Sequence, residues 1–148
     1  MTRYFPASIQ SVAPDSVAAR AGIMPGDVLL ALNGLPLRDV IDAHLLASVP
    51  RLSFLLERNG RRIRLPAQRR YGEPLGLEFV EDLFDAPLRV CRNNCDFCFV
   101  AQMAPGLRSP LYVKDDDYRL SFLHGNYISL TNLAPSDWER IIEQFLSP

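Results

Sequence analysis

The sequence predicts two small units in series: a β-rich α+β unit with two short helices over residues 1–75, then a second unit of mixed strand and helix over residues 76–148. Three observations carry this. Charge changes sign at mid-chain, from ten Arg against five acids in residues 1–70 to six bases against twelve acids in residues 71–148. Alternating apolar runs punctuated by Asn-Gly turns fill the first half, whereas an amphipathic helical pattern closes the second. Between them Tyr71-Gly72-Glu73-Pro74 supplies turn residues, and no low-complexity linker follows.

The first unit reads element by element. Ser8–Val12 alternates as a short strand, and Ser16 is placed to cap a helix over residues 17–21 that Gly22 ends. Val28–Leu32 is an apolar run suited to a buried strand, closed by the Asn33-Gly34 turn. Asp39 can cap a second helix whose Val40, Ile41, His44 and Leu45 are spaced for one apolar stripe, with Pro50 after it. Leu52, Phe54 and Leu56 alternate, Asn59-Gly60 turns the chain, and Ile63 and Leu65 alternate with Arg62 and Arg64 as a hairpin with one wet face.

This order, and the run AGIMPGDVLLALNG above all, resembles the bacterial PDZ domain over about residues 6–70. The resemblance implies an extended peptide or protein ligand added as a strand beside the second helix, with loop amides holding its terminal carboxylate. It places Val40 and His44 on the groove-side helix as peptide-binding candidates; a lone His on an amphipathic stripe is equally well explained as a packed or partly exposed residue. Gly76-Leu77-Glu78-Phe79 resembles the carboxylate-binding loop in composition, yet follows the hairpin, so a strand leading into the second unit is favoured.

Composition removes several function classes. At 148 residues, 48% hydrophobic, 22% charged and a net charge of -1, the chain has no general electrostatic pull toward nucleic acid or anionic lipid. Its apolar runs fall far short of the roughly 20 residues that span a bilayer. The first ten residues lack a signal-peptide core, so the cytoplasm is the expected compartment.

The three cysteines carry the chemistry. Cys91, Cys95 and Cys98 form C-x3-C-x2-C, with Phe97 before the last. An odd number within eight positions is a poor disulfide framework. Three thiolates on so short a loop can converge on one face of an iron-sulfur cluster, and without a fourth Cys in the chain one iron of a 4Fe-4S cluster would stay open to a small ligand. Structural zinc remains the rival and would have to recruit a ligand such as His124.

The pattern resembles the radical SAM superfamily, and the run from Arg89 to Leu133 resembles, more narrowly, the DUF512-type bacterial proteins that join a PDZ domain to a radical SAM-like barrel. The resemblance implies that residues 76–148 are the first part of an α/β, TIM-like barrel. Cys91, Cys95 and Cys98 would hold a 4Fe-4S cluster, and S-adenosylmethionine on the open iron would be cleaved by one electron from a reductant partner. It also implies a place for Phe97 near the adenine. No Gly-Gly-Glu run is present to hold the SAM amine; His124 to Tyr127, or Thr131 and Asn132, at the end of an expected strand Phe122–Leu130, are the cofactor-binding candidates. Asp115-Asp116-Asp117 reads as a solvated turn. Residues 137–146 read as an amphipathic helix with Trp138, Ile141, Ile142 and Phe145 on one side. Only 58 residues remain from Cys91 onward, room for one or two strand-helix units, so further strands are expected beyond Ser147-Pro148, and the isolated second half is expected to expose that helix face. The alternative function is a non-catalytic PDZ adaptor whose cysteines hold structural zinc or a redox-sensing cluster.

Overall fold

The computed structural model describes residues 2–146, and the chain divides into two compact units, Met1–Pro87 and Leu88–Pro148. Ser147 and Pro148, where the sequence places a break in the architecture, lie outside the described residues.

The first unit is an antiparallel sheet with two short helices. Its strands are β1 (Ala7–Val12), β2 (Val28–Leu32), β3 (Leu35–Pro36), β4 (Arg51–Arg58), β5 (Arg61–Gln68) and β6 (Leu77–Phe79), in the spatial order β5-β4-β2-β1-β6 with β3 beside β2. Asn33 and Gly34 (φ 53° and 84°) and Asn59 and Gly60 (φ 51° and 74°) adopt the left-handed conformations that tight hairpins need. Every second residue of β4, Leu52, Phe54 and Leu56, is buried and joins Ile9, Val17, Leu29, Leu32 and Leu37 in one core.

Helix α1 (Val17–Ala21) starts where Ser16 accepts a bond from the Ala19 amide and stops at Gly22, φ 84°. Helix α2 (Val40–Leu46) starts at buried Asp39, whose carboxylate accepts from the Asp42 amide at 3.1 Å. Its inward face differs from the expected stripe: Ile41, Ala43 and Ala47 are buried, and His44 and Leu45 are exposed. Two small side chains four residues apart let the helix sit close to the core, which turns its neighbours outward.

Strand β6 corrects the reading of Gly76–Phe79 as a lead into the second unit. It pairs antiparallel with β1, Val12 opposite Leu77 and Ile9 opposite Phe79, and so forms an edge of the first sheet. Gly76 makes this possible. Its φ is +76°, its carbonyl accepts from the Ala13 amide at 2.9 Å, and a Cβ there would lie 2.1 Å from the Ser16 Cβ. Only a residue without a side chain can pass the cap of α1 this closely.

The second unit holds a 3-10 turn (Ser109–Tyr112) and helices α3 (Tyr118–His124) and α4 (Pro135–Glu143). Among its described residues the only extended pairing is the bridge between Val90 and Asp115. The expected strand Phe122–Leu130 is therefore corrected: its first three residues complete α3, which Asp117 caps by accepting from the Arg119 amide and Gly125 (φ 72°) ends. Local capping outweighs the alternation of the sequence here.

Helix α4 begins with Pro135 at its first turn, and Asp137 reaches back to the Ala134 amide at 2.8 Å. It turns two charged residues inward, Asp137 and Arg140, while Trp138 and Ile142, and Phe145 just after it, are exposed. Arg89 meets Asp137 at 2.5 Å, and Arg140 donates to the Tyr118 hydroxyl at 3.1 Å. These bonds give the buried charges partners and so make that face tolerable.

Replacing Gly76 by Ala tests the closure of the first sheet. Gly76→Ala is expected to destabilise this unit by about 2–4 kcal/mol, combining left-handed strain with overpacking. Gly72→Ala is the comparison, because Gly72 has φ 74° and open space around it; it should cost only about 1–2 kcal/mol. Urea denaturation of the two variants measures the difference.

Candidate functional site

The cysteine loop is set by the Val90–Asp115 bridge. The Cys91 amide donates to the Lys114 carbonyl at 2.7 Å and the Asp116 amide to the Arg89 carbonyl at 2.9 Å. These bonds fix the start of the loop alongside the acidic run. The loop then tightens, with the Cys98 amide on the Cys95 carbonyl (3.0 Å), the Gln102 amide on the Cys98 carbonyl (3.1 Å) and the Gln102 side chain on the Asp96 carbonyl (2.7 Å).

All three cysteines are free and half-buried. The Cys98 thiol is held below its ordinary range, first by a bond from the Ala101 amide, then by the Val100 amide and the charge of Lys114, against a smaller opposing effect of burial. Backbone donors at a sulfur are what a metal-bound thiolate requires. Cys91 and Cys98 line a cavity of about 270 Å³ whose wall includes Phe99, Lys114, Tyr127 and Ser129. Such a space beside two cysteines can admit a small ligand of a metal centre.

Behind Cys91 lies a polar cluster that the sequence does not announce. Asp116 and Asp117, expected in a solvated turn, are buried to 4% and 2% exposure. Asp116 accepts from the Ser129 amide (2.7 Å), the Ser129 hydroxyl (2.8 Å) and the Asn132 amide group (2.6 Å). Burial works against its charge, but these bonds outweigh it and hold the carboxyl below its usual range. Asp117 balances burial with the guanidinium of Arg119, 2.9 and 2.7 Å from its two oxygens, and is shifted the same way.

Of the three cysteines, Cys91 meets Asn132: Asn132 Nδ2 lies 3.7 Å from Cys91 Sγ, and Asn93 donates to Thr131 at 2.6 Å. Phe97 is 83% exposed and outside the cavity wall, where its neighbour Phe99 stands. Of the residues from His124 to Tyr127, Asn126 donates to Asp115 at 2.8 Å and Tyr127 lines the cavity. His124 is the last residue of α3.

Three thiols on one short loop are of the donor type that iron-sulfur centres take. Among the described residues, no three His, Cys, Asp or Glu side chains close on one point as a lone metal requires. In a four-iron cluster each thiolate binds a different iron, so the sulfurs need not meet. Three free cysteines on one loop, one of them biased toward thiolate, are the donor set of such a group.

The first unit carries a second candidate site. A groove of about 310 Å³ lies between α2 and β6, lined by His44, Ala47, Arg69, Leu75, Gly76, Leu77 and Phe79. The Gly76 carbonyl and the Val80 amide bond to β1, so strand alternation turns the backbone groups of Leu77 and Phe79 to the outer edge, beside α2. Val40 sits at the other end of α2, where its amide donates to the Asp82 carbonyl at 2.9 Å and Phe84 donates to Arg38 at 2.8 Å. The chain after β6 thereby crosses the beginning of α2.

The first unit thus sets an edge strand beside a helix, and the second carries three cysteines on one loop. Comparison with known families agrees: residues 69–148 match the Radical SAM-like domain and residues 8–69 the PDZ domain. The chain belongs to the radical SAM-like family and carries a PDZ domain. It is also similar to a protein of Rhizobium meliloti (strain 1021) named "Putative zinc metalloprotease", 45% identical over 58 residues, 37% of this chain and 16% of that protein. The match thus spans under a fifth of that relative's length. No described helix is long and apolar enough to cross a membrane.

Acid tests the polar cluster. The native carboxyls of Asp116, Asp117 and Asp137 lie below the unfolded Asp value of about 3.9. Their contribution is therefore complete above that value and is lost as pH falls through the native ones. Thermal melts of the chain from pH 7 to pH 2 should show the second unit losing stability below about pH 4, with a shallower loss in Asp137→Asn.

Proposed function

We propose that this chain is part of an iron-sulfur oxidoreductase of the radical SAM type, in which Cys91, Cys95 and Cys98 hold a 4Fe-4S cluster and a PDZ groove recruits a peptide or protein partner. The observation that carries the reading is the set of three free cysteines on one loop, two of them at a cavity beside buried Asp116. When bound, the cluster and S-adenosylmethionine supply one-electron cleavage of a sulfonium, with electrons from a reductant partner.

The chain's own residues do the rest. The Ala101 and Val100 amides favour the thiolate of Cys98. Lys114 and Asp115 on the cavity wall offer groups of both signs for the charged amino-acid end of S-adenosylmethionine. Phe99 and Tyr127 offer aromatic surface for an adenine, a part that exposed Phe97 could take only by turning inward. The family match, over residues 69–148, supports reading residues 76–148 as the opening part of the α/β barrel.

Anaerobic reconstitution with iron and sulfide tests this. About four irons per chain are expected, lost in Cys95→Ala, with an EPR signal of the reduced protein that moves when S-adenosylmethionine is added. A cluster blind to S-adenosylmethionine would leave a redox-sensing role, and zinc bound in place of iron would leave a peptide-binding adaptor.

The groove supports recognition of a free carboxy terminus. The outward backbone of Leu77 and Phe79 can extend the sheet by one ligand strand, with Arg69 in the same wall. The likeness to the zinc metalloprotease brings no protease activity with it. Selection of free-carboxylate heptapeptides from a random library should yield binders, and amidating the selected peptide should weaken binding about tenfold or more, the worth of one charge-assisted hydrogen bond. Equal binding of acid and amide would contradict carboxylate recognition.

A further inference from the structure

Asn132 has two amide hydrogens and an unusual set of neighbours. Its nitrogen lies 2.6 Å from Asp116 Oδ2, which takes one of them. Within reach of the other are Cys91 Sγ at 3.7 Å, Thr131 Oγ1 at 3.3 Å and Ser129 Oγ at 3.5 Å. Both hydroxyl oxygens already accept a hydrogen: Thr131 from Asn93 at 2.6 Å, and Ser129 from the Thr131 amide at 3.3 Å. A metal-bound Cys91 sulfur carries negative charge, and a charge-assisted acceptor outbids a neutral hydroxyl for the same hydrogen.

The clamp behind this donor is rigid. Asp116 is 4% exposed, and its carboxylate is fixed by both the amide and the hydroxyl of Ser129. Its own amide bonds to the Arg89 carbonyl at 2.9 Å, two residues before Cys91. Donor, clamp and thiol are therefore tied to the same short backbone bridge.

We propose that Asn132 is a positioning residue for the cluster: clamped by buried Asp116, its amide donates an N–H···S bond to the Cys91 thiolate and sets the reduction potential of the cluster held there. The direction follows from electrostatics. An external reductant adds one electron to the cluster, and a donor aimed at a ligand sulfur stabilises the added negative charge, so it raises the potential. The buried carboxylate behind it acts oppositely, because a fixed negative charge disfavours reduction. One polar cluster thus holds two controls of opposite sign.

The inference rests on the iron-sulfur reading, and one experiment separates the two. Wild-type protein, Asn132→Leu and Asp116→Asn are reconstituted anaerobically, assayed for iron and sulfide, and titrated by EPR-monitored reduction. Leucine keeps the size of the asparagine and removes the donor; asparagine at 116 removes the charge and keeps one of the two acceptor oxygens. The expected result is full iron content in all three, a midpoint potential below wild type in Asn132→Leu and above it in Asp116→Asn. Potentials equal to wild type in both variants, at full iron content, would overturn the inference while leaving the cluster reading intact. Wild-type protein that takes up no iron and sulfide would overturn the cluster reading and this inference with it. Should Asn132→Leu fail to hold iron, Asn132→Ala takes its place, a potential below wild type supporting the inference and one equal to wild type overturning it.

Discussion

A buried carboxylate must find donors or become neutral, and in the second unit this requirement organises the site. Asp116 enters a dry environment because the Val90–Asp115 bridge folds the acidic run against the start of the cysteine loop. Its oxygens then need hydrogen-bond donors, which the chain brings from Ser129 and Asn132. Meeting that need draws residues 129–132 beside Cys91 and leaves a cavity between them and Cys98. The neighbouring Asp117–Arg119 pair and the Arg89–Asp137 pair apply the same rule to the helices. A unit with few buried apolar side chains is thus held by satisfied charges, the arrangement in which loss of one partner is most costly.

The first unit depends on a different constraint, close passage of backbone. Gly76 lets the chain after the hairpin run past the cap of α1 and add β6 to the sheet. That step makes β6 the edge strand and puts it in the wall of the groove beside α2. Residues 82–85 bond to the chain around the start of α2, at the end away from His44 and the groove.

Local chemistry was the legible part of the sequence. The Ser16 and Asp39 caps, the Gly22 stop and both Asn-Gly turns are set by residues within four positions of one another, and each stands where the spacing placed it. The cysteine spacing was equally plain, and the family matches agree with the resemblance it prompted. Non-local facts were hidden. The partner of β6 lies more than 60 residues earlier in the chain, so Gly76–Phe79 read as a departure rather than an edge strand. Asp116 read as solvated because its donors come from residues 129 and 132, outside any local window, whereas Asp117 takes its main partner, Arg119, from two residues on. In Phe122–Leu130, alternation suggested a strand, and a cap five residues upstream with a glycine inside the run settled a helix instead. The stripe on α2 was misplaced because two alanines, weak as hydrophobic signals, decide which side packs.

On the function proposed above, three protein thiolates leave one iron of a four-iron cluster open at the cavity beside Cys91 and Cys98. Mössbauer spectroscopy of chain reconstituted with iron-57 reads each iron directly. The account predicts three irons of one kind and a fourth that alone changes its parameters when S-adenosylmethionine is added. Four equivalent irons that ignore S-adenosylmethionine would contradict it.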